Sequence, residues 1–194
     1  DVISWGIDAD EWQPSERHGN YVLFNKTRAD NVCDPEPLVK LAAICPNQLF
    51  LTTFLSKTES NEKAQASVTP NIKAIGRVPY ETMKPLVRNA QVYLATTRET
   101  FGIGTIESMA SGVPILGYNW AGTADIVRHG VDGFLCEPHD IEGLKRGLEF
   151  CIKHRAVLGA NARKRALTFT WDDTARRFAE VYDRVLTPHK GVKL

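Results

Sequence analysis

The chain has 194 residues, 43% hydrophobic and 24% charged, with a formal net charge of +1. That is enough apolar material for one good core or one large α/β domain, and it leaves no broad basic field for nucleic acid. No apolar run approaches the roughly 20 residues of a membrane span. The four cysteines (Cys33, Cys45, Cys136, Cys151) are scattered without a CxxC pair. They read as reduced packing thiols of a cytoplasmic protein. The chain opens Asp1-Val2-Ile3, with no methionine and no signal-like segment, which suggests a fragment or a processed chain.

Residues 1–19 are polar and broken, and read as a linker with two aromatic anchors, Trp5 and Trp12. Tyr21 to Asn25 is a short apolar run and a predicted buried strand. Asp34-Pro35 has the signature of a helix start, with the helix running to about Cys45 and stopping before Pro46. Leu49 to Leu55 is a second strand, and residues 56–70 a polar loop. Ile72 to Gly76 is a third strand. Pro79 to Ala90 is a helix whose first half Pro85 should make irregular. Gln91 to Ala95 is a fourth strand, leading directly to Glu99. A helix over 103–111 is closed by Gly112 and Pro114. Val113 to Leu116 is a fifth strand, Thr123 to Arg128 a short helix, and Gly133 to Cys136 a sixth strand. Asp140 caps a helix through Lys153, and helices over 155–168 and 172–186 complete the chain. Strands alternating with helices predict a Rossmann-like, doubly wound parallel α/β sheet over residues 20–170. Residues 171–194 form a last helix and tail.

In such sheets ligands sit outside the carboxyl ends of the strands, where the strand order reverses. The turns after strand one (Lys26 to Arg28), strand three (Arg77 to Pro79) and strand four (Thr97 to Gly104) should share that rim. In the last of these, Glu99 and Glu107 bracket a glycine-rich turn. At 100° per residue Ile103, Ile106 and Ala110 form an apolar stripe with Glu107 on it. A carboxylate there needs a partner. Sugar and ribose hydroxyls suit it, because an ionised carboxylate only accepts hydrogen bonds. A boundary glutamate in water fits the spacing equally well. Gly102 and Gly104 permit close backbone approach, and the amides that follow open a helix, a natural anion site. GxG without a third glycine also fits a plain tight turn. Its place after the fourth strand argues against a dinucleotide fingerprint.

Seven residues separate Glu99 from Glu107. With Phe101, Gly102, Ala110, Gly112 and Pro114 they resemble the E-x7-E signature of family 4 retaining glycosyltransferases, which have the GT-B fold. The likeness covers most of the chain. Val2 to Asp8 with Trp12-Gln13-Pro14 resembles the family's interdomain linker, and Ile75 to Pro79 its G-x-V segment. Ala121 to Val127 resembles its GG-x-x-E motif; Gly130 to Leu135 and Thr170-Trp171 also match.

The resemblance implies transfer of a sugar from a nucleoside diphosphate to a hydroxyl with retained anomeric configuration. Glu107 would bond the ribose hydroxyls, and Glu99, the catalytic candidate, would face the donor sugar. Amides of Phe101, Gly102, Ile103, Gly104 and Thr105 would hold the sugar and distal phosphate, and backbone near Arg77 and Val78 the base. Lys26 and Arg28, two residues apart at a strand end, share a face and are the cation candidates for the diphosphate. The family places an arginine and a lysine several residues apart in that loop, so this chain departs from the pattern. No metal or other cofactor is expected, and the donor is expected to be UDP-linked. The chain would then be the donor-binding half of a two-domain enzyme. The acceptor-binding N-terminal domain would be missing, and with it any membrane contact.

Asp8-Ala9-Asp10 spells DxD, but lies in the linker and reads as a solvated turn. His129-Gly130 reads as a helix end, and the remaining histidines as surface or capping residues. The stripe Ala175, Phe178, Ala179, Tyr182, Leu186 reads as a core face, part of which an isolated half would expose. Two rivals stay open: a nucleotide-sugar 2-epimerase, and a non-catalytic nucleotide-sugar-binding module.

Overall fold

A computed structural model describes residues 1–26, 33–53 and 69–186. Six strands form one parallel sheet: β1 (Tyr21–Phe24), β2 (Leu49–Thr52), β3 (Ile72–Ala74), β4 (Val92–Ala95), β5 (Ile115–Tyr118) and β6 (Gly133–Cys136), in the order β3-β2-β1-β4-β5-β6. The helices among the described residues are α1 (Glu36–Ile44), α2 (Tyr80–Arg88), α3 (Ile103–Ala110), α4 (Ala121–Ile126), α5 (Ile141–Lys153), α6 (Arg155–Ala166) and α7 (Trp171–Leu186).

Side chains alternate across the strands, so each strand feeds two cores. Leu23, Leu51, Tyr93, Ala95 and Ile115 face α2, α3 and α6 through Met83, Val87, Ile106, Met109, Ala162 and Ala166. Val22, Phe24, Phe50, Val92, Leu94 and Leu116 face α1 and α5 through Leu38, Leu41, Leu144, Leu148 and Cys151. Helices on both faces explain why the strands read as continuous apolar runs rather than alternating ones. The doubly wound α/β architecture expected from the sequence is the one observed.

Several element boundaries differ from the sequence reading, each for a local reason. The fifth strand starts at Ile115, not Val113. The amides of Gly112 and Val113 bond back to the carbonyls of Met109 and Ser108, closing α3, and Pro114 has no amide to give the sheet. α2 runs unbroken through Pro85. α4 ends at Ile126, so His129 is not at a helix end. It sits in the turn before β6, where its Nδ1 accepts the Leu135 N–H and its ring packs on Phe134. Asp140 caps α5 as expected, accepting from the Gly143 amide at 2.7 Å. The α7 stripe is not a core face among the described residues: Phe178, Tyr182 and Leu186 are exposed, and Thr174 is the helix's buried residue. Predicted strand residues 54–55 and loop residues 56–68 lie outside the described residues.

Residues 1–18 contain neither helix nor strand, yet they are fastened at both ends. Ile7 donates to the Phe169 carbonyl at 3.0 Å, and the Thr174 hydroxyl to the Ser4 carbonyl at 2.8 Å. Trp12 is 2% exposed and joins the α2/α3 core. The Arg163 guanidinium donates to the carbonyls of Trp12 and Ala110, tying this segment to the end of α3. Asp8 accepts the amides of Asp10 and Glu11, which makes the DxD a capped, exposed turn.

At the β5–β6 contact, a methyl group on Gly133 would lie 2.0 Å from the Ile115 carbonyl oxygen. Gly133→Ala must therefore push the edge strand away. The expected cost is about 1–3 kcal/mol, a melting temperature lower by roughly 3–10 °C. A thermal melt by circular dichroism checks it.

Candidate functional site

The strand order reverses between β1 and β4, and the chain leaves their carboxyl ends in opposite directions. Two predicted residues meet there. The Lys26 Nζ lies 2.7 Å from Glu99 Oε1, with the side chains 11% and 28% exposed. Burial works against the Lys26 charge, but the Tyr93 hydroxyl and the Glu99 carboxylate outweigh it and hold the ammonium above its usual range. Lys26 is thus a firmly charged cation in a half-dry crevice. Arg28 lies outside the described residues.

The turn into α3 is built around Gly102, whose φ of 91° is left-handed and suits glycine. From it the chain enters α3 with the Thr105 and Ile106 amides both bonded to the Gly102 carbonyl. The leading N–H groups of any helix have no partner one turn back, so this end can seat an anion; the Thr105 amide, expected to contribute, is instead spent on the Gly102 carbonyl, which tightens the first turn. α4 fixes the turn from behind. Gly122 donates to the Glu99 carbonyl at 3.0 Å, and a methyl group there would lie 2.5 Å from the Phe101 carbonyl oxygen. The Phe101 ring is flanked by Trp5 and Phe169 at 6.0 and 6.5 Å. Thr105 is buried, and Gly104 is half-buried above Tyr93. Ile103 departs from the predicted stripe: it is 43% exposed, because the first helical residue stands at the rim while Ile106 and Ala110 turn inward.

Glu107 lies one turn further along α3. Burial, and then the negative charge of Glu11, push its carboxyl up to about 7, with Lys26 opposing them. Glu11 comes from the N-terminal segment and was not singled out in the sequence, where it is one polar residue among many. It pairs with Lys84 at 2.6 Å and accepts the Tyr80 hydroxyl at 3.2 Å. The second residue the sequence concealed is Tyr93, which reads as core because it sits in an apolar strand. Arg77 is exposed and Val78 half-buried, just beyond β3 on the same edge of the sheet. Among the described residues, no three His, Cys, Asp or Glu side chains are placed to hold a metal ion, and no helix is long and apolar enough to cross a membrane.

The family of glycosyl transferases group 1 matches residues 12–165, which include both glutamates, Lys26 and the turn between them. The chain belongs to that family. It is 32% identical over 142 residues to a D-inositol 3-phosphate glycosyltransferase of Streptomyces griseus, covering 70% of this chain and 30% of that protein. An uncharacterized glycosyltransferase of Methanocaldococcus jannaschii is 28% identical over 61% of this chain and 32% of its own length. Among solved structures, a sucrose-phosphate synthase from Thermosynechococcus elongatus superposes with a TM-score of 0.80 at 20% identity, over 95% of this chain and 52% of that one. Anabaena HepE in complex with UDP-glucose gives 0.79 at 20% identity, over 95% and 57%. The fold is therefore that of these glycosyltransferases, and the chain spans about a third of the curated relatives and just over half of the solved chains it matches.

Proposed function

We propose that this chain is the donor-binding half of a retaining, metal-independent glycosyltransferase that takes a UDP-linked sugar. The observation that carries the reading is the Lys26–Glu99 pair at the switch point, beside the opening of α3 and one helical turn from Glu107. Each group suits one part of a nucleotide sugar. Glu107 accepts from ribose hydroxyls, and Glu99 from sugar hydroxyls. The amides from Phe101 to Gly104 and the Lys26 ammonium face the distal phosphate, and backbone at Arg77 and Val78 faces the base. As the glycosidic bond breaks, charge grows on the leaving diphosphate. Preorganised amides and a cation aimed at that charge lower the barrier, the task a metal ion performs elsewhere. The UDP assignment draws on the UDP-glucose complex of HepE. The chain's short span against its relatives supports a half-enzyme whose acceptor-binding domain lies outside it.

Calorimetry with UDP-, GDP- and ADP-linked glucose tests this reading. Binding of the UDP sugar, weakened at least tenfold in Lys26→Met, is the expected result. Failure of all three to bind sinks the donor site. Efficient sugar transfer by this chain alone sinks the half-enzyme reading, and an epimer formed from donor alone would favour the isomerase.

A further inference from the structure

We propose that Tyr93 is a positioning residue of this site: its hydroxyl, admitted beneath the start of α3 by the missing side chain of Gly104, holds the Lys26 ammonium in line for the distal phosphate of the donor. The role rests on the donor-site reading above. Tyr93 is 1% exposed, and its hydroxyl is buried without a hydrogen-bond partner. A position needing only an apolar ring would be served by phenylalanine, which carries no polar atom into the core. The polar atom is accommodated deliberately. A methyl group on Gly104 would lie 2.6 Å from the Tyr93 Oη, so position 104 cannot carry a side chain while position 93 carries this hydroxyl.

What the hydroxyl faces is the site itself. The charges acting on it are those of Lys26, Glu99 and Glu107, and it helps to hold the Lys26 ammonium charged. An ammonium has three N–H donors. In the unliganded arrangement Glu99 takes one of them at 2.7 Å. When Glu99 turns to accept sugar hydroxyls, Lys26 loses that partner at an 11% exposed position. The Tyr93 oxygen, unpartnered in the unliganded arrangement, then accepts one N–H and leaves the others for the phosphate. The hydroxyl thus keeps a buried cation aimed during the exchange of partners.

Tyr93→Phe tests the role in the 194-residue chain, with UDP-glucose and UMP as calorimetric probes. UDP-glucose binding should weaken about tenfold, as expected for one hydrogen bond to a charged group. UMP, which lacks the distal phosphate, should bind unchanged, and the melting temperature should hold or rise. Without ligand, NMR titration of the Lys26 side chain should show its pKa falling in the variant. Gly104→Ala should lower the melting temperature in the parent chain and do so less in Tyr93→Phe. If the parent binds UDP-glucose, while the variant matches it within twofold and Lys26 titrates unchanged, the role is overturned. If the parent binds neither probe, the donor-site reading falls and the role with it, a result that differs by being the same with and without the hydroxyl.

Discussion

Trp12→Ala is expected to destabilise the chain by about 3–5 kcal/mol, the usual cost of emptying a fully packed aromatic site. Trp12 is among the largest fully buried side chains, although it lies in a segment without helix or strand. Its ring fills the space beside α2 and meets Tyr80 edge-on at 5.9 Å. Its carbonyl receives the Arg163 guanidinium, which also holds the last carbonyl of α3. Removing the ring leaves a cavity in the core that it shares with Met83, Val87 and Met109, one that rigid helices cannot close. Urea unfolding should show a lower midpoint. Trp12→Phe should recover about half of the loss, because it restores ring volume without the indole's full reach. A drop under 1 kcal/mol for the alanine variant would mean that residues 1–18 are held by their backbone hydrogen bonds alone. The effect should also reach the site, since Glu11 adjoins Trp12 and faces Glu107.

The fold was readable because two periodicities coexist in the chain. Short apolar runs such as Tyr93-Leu94-Ala95 alternate with helices bounded by strong local signals, Asp140 at one start and Gly112 at one end. Boundaries failed where tertiary bonds decided them. Nothing in Val113-Pro114-Ile115 announces that the Val113 amide closes a helix instead of opening a strand. The α7 stripe is a similar case, because periodicity marks an apolar face but not whether anything covers it.

The site was legible as far as it is contiguous. Glu99 to Glu107 reads directly, and the reversal of strand order puts Lys26 beside it without any sequence signal linking positions 26 and 99. Glu11 and Tyr93 were not legible, because each gains its meaning from groups brought near it across the fold. Glu11 acts through Lys84 and Glu107, 73 and 96 positions away. Tyr93 acts through a gap left by a glycine in the next helix.

The burial of Glu107, reinforced by the negative charge of Glu11, produces the second large effect, in which donor binding and stability respond to pH in opposite directions. With its carboxyl near 7, Glu107 is about one-tenth ionised at pH 6 and about nine-tenths at pH 8. Ribose hydroxyls are best held by the ionised form, so UDP-glucose affinity should rise roughly tenfold between these values. UDP-glucose is the suitable probe, since its bridged diphosphate takes up no proton in this window. For stability the sign reverses. The folded-state value lies above the ordinary 4.5, so between pH 4.5 and 7 the folded chain holds a proton that the unfolded chain has released. Stability from this group is full below 4.5 and declines by roughly 2–3 kcal/mol as pH rises to 7. Glu107→Gln should abolish both slopes and weaken donor binding at pH 8 at least tenfold, while raising stability there. Glu11→Gln should move both midpoints to lower pH, by removing the nearby negative charge while leaving Glu107 in place. Calorimetry and urea unfolding from pH 5 to 8 separate the two. Affinity that is flat with pH in the parent chain would show that Glu107 does not hold the ribose as a carboxylate.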